Sequence, residues 1–143
     1  MCIRDRNLFK DHSDTETLWR ATHRFNACTE VEFFRLCKDL TRLLIERIDL
    51  NALKTLTPEC PAKLKTLKRF EKLLSKSHSD ARSLFTPWHG IYEFRKADAH
   101  LTSASIAEAR QAVGCEDENH PVGMAKLTIA AMADSVNSIT SVL

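Results

Sequence analysis

A chain of 143 residues with 43% hydrophobic and 28% charged residues has the size and make-up of one globular domain, large enough to bury a core without staples. The net charge of +2 is too small to argue for any partner, and three glycines with four prolines leave little material for hairpins, which points to helix. Five cysteines (Cys2, Cys28, Cys37, Cys60, Cys115) form no Cys-x-x-Cys pair, so they read as reduced thiols of a cytoplasmic protein. No apolar run approaches the roughly 18 residues of a membrane span.

In chain order, Met-Cys-Ile-Arg-Asp-Arg at residues 1–6 resembles a translated sequencing-adapter read of metagenomic origin and is set aside as a non-native leader. With the native start then undetermined, a longer protein of which this is the C-terminal part stays an alternative. Residues 7–28 read as a lead-in segment or a short helix, with Ser13-x-x-Glu16 as a capping box and Leu18, Trp19, Thr22 and Phe25 behind it. The domain proper is expected over residues 29–143. Thr29-x-x-Glu32 is a second capping box, and from Phe33 to Ile48 a wide apolar arc marks the expected central core helix.

One short turn around Leu50–Leu53 is followed by Pro58 and Pro61, the latter suited to the first turn of a helix reaching Lys76. Leu64, Leu67, Phe70, Leu73 and Leu74 form its inner face. Lys65, Lys68, Arg69, Lys72 and Lys76 gather on the opposite arc, with Glu71 the only acid. Such a face is either solvated or a track for a phosphate backbone; no aromatic interleaves it, so base stacking is not suggested. After a break at Ser77–Asp80 and a short helix through Phe85, Thr86 reads as an N-cap and Pro87 as the first position of a helix reaching His100. Gly90 costs that helix about 1 kcal/mol relative to alanine, and a close helix crossing is one explanation. Ser105-x-x-Glu108 opens a further short helix that Gly114 is placed to close.

Cys115–His120 is an acidic loop. Without a spaced second ligand set it reads as a plain turn rather than a metal site. Pro121 starts the last helix, where Val122, Ala125, Ile129, Met132, Val136, Ile139 and Leu143 repeat as a heptad seam, for packing inside the domain or for a dimer interface. The expectation is an all-α antiparallel bundle with long helices near 30–48, 61–76, 87–100 and 121–142.

The only spacing with a chemical look is Arg95-Lys-Ala-Asp-Ala-His100. On an ideal helix Trp88, Ile91, Tyr92 and Ala99 share an arc with Arg95, while His89, Glu93, Lys96 and His100 form a polar stripe, Arg95 and His100 lying roughly 140° apart. A guanidinium on an apolar arc needs a partner. Asp98, three residues on, would make a structural ion pair; a phosphate in a shared cleft would make a site. The six histidines offer no His-x3-His and no Cys/His cluster, so no metal or cofactor is expected.

The Arg-x4-His segment, late in a helical domain and ending Ala-His-Leu, resembles the signature of the HEPN superfamily, small all-helical domains of prokaryotic toxins, defence systems and RNA-processing nucleases. The resemblance covers residues 29–143. It implies a homodimer and metal-independent RNA cleavage at a dimer cleft, with Arg95 and His100 catalytic and Asp98 supporting. RNA, or a partner or antitoxin protein, would be the ligand, and no membrane is implied. Active members usually carry Asn, Asp or His directly after the arginine; here Lys96 follows it. Three readings result: a HEPN-like ribonuclease, a HEPN-like domain that binds RNA or a partner without catalysis, and an unrelated helical interaction domain with a structural Arg95–Asp98 pair.

Overall fold

The computed structural model describes residues 8–10, 13–23, 29–96 and 102–143. They form an all-α helical bundle: α1 (Thr15–His23), α2 (Glu30–Leu40) continued by a π-helical turn (Thr41–Ile45), α3 (Leu50–Leu56), α4 (Thr66–Leu74), α5 (Ala81–Phe94), α6 (Ser103–Ala112) and α7 (Pro121–Val142). The only pairing of extended backbone among the described residues is an isolated antiparallel bridge between Phe9 and Ile48. It ties the lead-in segment to the end of the π turn through Asp49 N–H to the Leu8 carbonyl at 2.6 Å.

Local chemistry sets several boundaries as expected. Thr29 and Glu32 form the reciprocal capping box of α2. Pro121 opens α7, with the Val122 N–H donating to His120 Nδ1. Gly114, at φ 70°, closes α6 in the left-handed region that a side chain would resist. The Ser13–Glu16 box does not form: the Ser13 hydroxyl donates to Asp14 and Glu16 pairs with Arg20.

Other boundaries differ from the expectation. The helix expected near 30–48 changes pitch at Thr41, which is buried and donates to the Cys37 carbonyl at 2.8 Å. Such back-bonding loosens an α-helix, and Glu46 N–H closes the π turn on the Thr41 carbonyl. The helix expected from Pro61 begins only at Thr66, because the Pro61 carbonyl accepts from Arg69 and turns the chain through Leu64 N–H.

Pro87 does not start a helix. It lies inside α5, which runs unbroken from Ala81. An interior proline costs about 3 kcal/mol, but Phe85, Trp88, Ile91 and Phe94 are all buried around it. At about 1.5–3 kcal/mol each, their burial outweighs that cost. The Thr86 hydroxyl also donates to the Arg82 carbonyl.

The central helix is accordingly α5 rather than α2: it touches α2, the π turn, α4, α6 and α7. Phe94 packs on Phe33 of α2 with ring centres 5.1 Å apart, and Phe85 packs on Phe70 of α4 at 5.2 Å. Gly90 allows the close crossing with α6, where an added Cβ would stand 2.7 Å from Val113 Cγ1 and 3.1 Å from the Ala109 carbonyl oxygen. α7 packs inside the domain, but the buried line is Ala125, Thr128, Met132, Ser135 and Ile139. The expected Val122, Ile129, Val136 and Leu143 are its half-buried flank. Ser135 fits in the core because its hydroxyl accepts from Trp88 Nε1 at 2.6 Å and donates to the Leu84 carbonyl.

Candidate functional site

The α5 helix ends at Phe94, and Arg95 is its C-cap. Arg95 therefore does not lie buried on an apolar arc: its side chain is 40% exposed and pairs at 2.6 Å with Glu46, itself 42% exposed, at the end of the π turn. Asp98 and His100 lie outside the described residues, so the Arg95–Asp98 pair and the Arg95/His100 constellation do too. Lys96 is held by both carboxylate oxygens of Glu93, at 2.7 and 2.8 Å, with its ammonium 5.0 Å from the Tyr92 ring centre.

These side chains form one wall of a cleft of about 710 Å³. His89 and Tyr92 extend that wall down α5. Opposite stands the start of α4 and the turn before it, contributing Lys63, Lys65, Thr66 and Lys68, while Ile45, Ile48 and Leu50 supply apolar floor. Lys65 is the N-cap of α4 and makes no side-chain cap, so among the described residues the first N–H groups of that helix have no side-chain acceptor at that position.

The two walls differ electrostatically. On the α5 side each cation has its own carboxylate, Arg95 with Glu46 and Lys96 with Glu93. On the α4 side Lys63, Lys65 and Lys68 have no ion-pair partner among the described residues. The capacity to bind an anion thus sits on α4.

The expected basic arc of α4 is only partly real. Lys65 and Lys68 face the cleft, and Lys72 lies exposed beside a neighbouring shallow hollow that Lys68 and Arg82 also line. Lys76 is engaged by Glu59 at 2.8 Å and by the Leu56 carbonyl. Arg69 is a correction: it is 2% exposed, and its guanidinium donates inward to Thr57 and to the carbonyls of Cys60 and Pro61. Residue 69 sits two after Leu67 and one before Phe70, at the border of the apolar arc. A long side chain there can turn in when loop carbonyls need donors.

One cluster was not expected from sequence. His89 Nε2 lies 3.2 Å from Glu71 Oε2, and Arg82 Nη1 lies 3.0 Å from the same oxygen and 2.9 Å from the same ring nitrogen. Its traces in the sequence are His89 on the polar stripe and Glu71 as the one acid of a lysine-rich helix. The acidic loop is a turn built on Arg110, which donates to the Cys115 and Glu118 carbonyls and to Asn119. Among the described residues no group of three or more His, Cys, Asp or Glu side chains could hold a metal ion.

Fold and cleft together define the class, an all-α helical bundle with a lysine-walled cleft beside its central helix. No helix among the described residues is long and apolar enough to cross a membrane. No family model, no curated protein and no solved structure matches this chain.

Proposed function

We propose that this domain binds the phosphate backbone of RNA in the cleft between α4 and α5. The observation that carries the reading is the α4 wall: three lysines without carboxylate partners among the described residues, beside the start of a helix whose N-cap residue makes no side-chain cap, facing an apolar floor. The resemblance of Arg95–His100 to the HEPN signature supports RNA as the polyanion and a prokaryotic toxin or defence setting. It also supports a homodimer, which light scattering across a dilution series tests.

Binding without cleavage by the signature arginine is favoured by one further observation. Arg95 and Lys96 are both occupied by carboxylates, so neither is preset for a phosphate. Fluorescence anisotropy with a labelled single-stranded RNA over a salt series tests the reading. Each lysine that neutralises a phosphate contributes about 0.7 to the slope of log affinity against log salt. Substituting Lys63, Lys65 and Lys68 together by Gln should therefore lower the slope by about 2. A wild-type protein without measurable affinity at low salt, or a triple variant with an unchanged slope, overturns it.

A further inference from the structure

We infer that the hollow beside the cleft is a second phosphate subsite that opens when His89 takes up a proton; the inference rests on the backbone-binding reading above. Lys68 and Leu64 line both the cleft and this hollow of about 340 Å³, so a strand lying along α4 passes from one to the other. Glu71, Lys72 and Arg82 complete the hollow. Lys68 and Lys72 are exposed and have no ion-pair partner among the described residues. Arg82 is the cation held back.

A guanidinium can only donate. Arg82 Nη1 stands 3.0 Å from Glu71 Oε2 and 2.9 Å from His89 Nε2, and its two hydrogens serve one acceptor each. Nε2 is then an acceptor, which requires a neutral ring. Protonation puts a hydrogen on Nε2 and leaves it 2.9 Å from Nη1, another donor, while Glu71 Oε2 lies 3.2 Å away to receive it. Imidazolium and guanidinium then compete for one carboxylate oxygen. Arg82 is the one free to leave: its side chain is 65% exposed, against 24% for His89. Glu71 passes to His89, and Arg82 swings out beside Lys68 and Lys72. The cluster of three carries no net charge with a neutral ring and one positive charge with a protonated one.

The surrounding charges do not undo this change. α4 brings Lys68 and Lys72 besides Glu71, and Lys63 and Lys65 stand at its start. On the α5 side Arg95 is paired with Glu46 and Lys96 with Glu93, and Tyr92 lies under the Lys96 ammonium. α2, α6 and α7 meet α5 at Phe94, Gly90 and Trp88 through Phe33, Val113 and Ser135, none of which ionises. A phosphate in the hollow favours the protonated ring, and by reciprocity a falling pH strengthens binding over the range where histidine changes charge.

The experiment is fluorescence anisotropy of the full chain with a labelled oligouridine, whose bases and phosphodiesters keep one charge state across that range. Salt series are run at about pH 5.5 and about pH 8, with thermal melts in parallel. Wild type should bind more tightly at the lower pH, and its slope of log affinity against log salt should steepen by about 0.7 for the phosphate that Arg82 gains. His89→Gln, which offers Arg82 an acceptor and takes up no proton, should show the shallower slope at both pH values. Arg82→Gln should also lose the steepening; lying on the surface, it carries the comparison alone if His89→Gln does not fold. A wild type that binds with one slope at both pH values overturns the inference and leaves the backbone reading standing, whereas absence of binding at both removes the two together. A slope that steepens as much in either variant as in wild type also overturns it.

Discussion

Arg69 Nη2 donates to the carbonyl of Pro61 at 2.6 Å, eight residues back along the chain. With Nη1 on both the carbonyl and the hydroxyl of Thr57 at 3.0 Å, one guanidinium staples the segment between α3 and α4. It thereby fixes where α4 begins and how Lys63 and Lys65 are presented to the cleft. Arg69→Ala would strand buried acceptors, each worth about 1–3 kcal/mol. The expected loss is about 3 kcal/mol or more. Arg69→Lys should recover little of it, because an ammonium cannot reproduce the planar fork. Urea unfolding of the three proteins checks this, and Arg69→Lys at wild-type stability would refute it.

Gly90→Ala pits two effects against each other. Alanine gains about 1 kcal/mol of helix propensity, but its Cβ would stand 2.7 Å from Val113 Cγ1 and 3.1 Å from the backbone oxygen of Ala109. The valine can turn aside; the carbonyl moves only with α6. Overpacking of this kind costs about 1–3 kcal/mol, so a net loss is expected. For a domain of this size that lowers the melting temperature by a few degrees, about 2–4 °C per kcal/mol. A rise in the calorimetric midpoint would show that α6 yields freely.

Glu46→Gln releases Arg95 into the cleft. The pair is exposed on both sides, so its contribution to stability is at most about 1 kcal/mol and the thermal midpoint should scarcely move. RNA affinity should instead rise, with a steeper salt dependence by about 0.7. Unchanged anisotropy titrations would mean that bound RNA does not reach Arg95.

Acid should destabilise the fold through two surface carboxylates. Asp49 caps α3 by accepting from the Asn51 and Ala52 N–H groups at 2.8 and 3.2 Å, and the bond from Ala52 is the main reason its carboxyl is held below the usual value of 3.8. Lys76 does the same to Glu59. Because both folded-state values are depressed, the stability they contribute is complete above the unfolded-state value and is lost as pH falls through the folded one. The melting temperature should therefore be level above about pH 5 and fall below about pH 4. Asp49→Asn keeps a capping oxygen without the titration, and should flatten the acid limb. An identical limb in the variant would remove Asp49 from the account.

Much of the fold was legible because it is written in local chemistry. The Thr29–Glu32 box, Pro121 at the start of α7, Gly114 at the end of α6 and the three-to-four-residue spacing of Leu67, Phe70, Leu73 and Leu74 in α4 each act within a turn or two of backbone. The site was legible only in part. Lys65 and Lys68 were marked by their arc, but the same arc offered Arg69, which turns inward, and Lys76, which Glu59 engages. On a helical wheel these residues look equivalent. Their fates depend on whether another segment brings carbonyls or a carboxylate within reach.

The sequence by itself determined the helical class, the starts of α2 and α7 and the close approach at Gly90, since spacing, caps and side-chain volume are properties of neighbours along the chain. Only the tertiary structure decided that Pro87 lies within a helix, that Ser135 is buried where Val136 is only half-buried, that Arg95 belongs to Glu46, and that His89 meets Glu71 and Arg82. In each case the deciding partner comes from another element: the aromatic packing around α5, the indole N–H of Trp88, a carboxylate on the π turn, an acid on α4. Periodicity reports which way a side chain leaves its own helix, and it carries no information about what waits there.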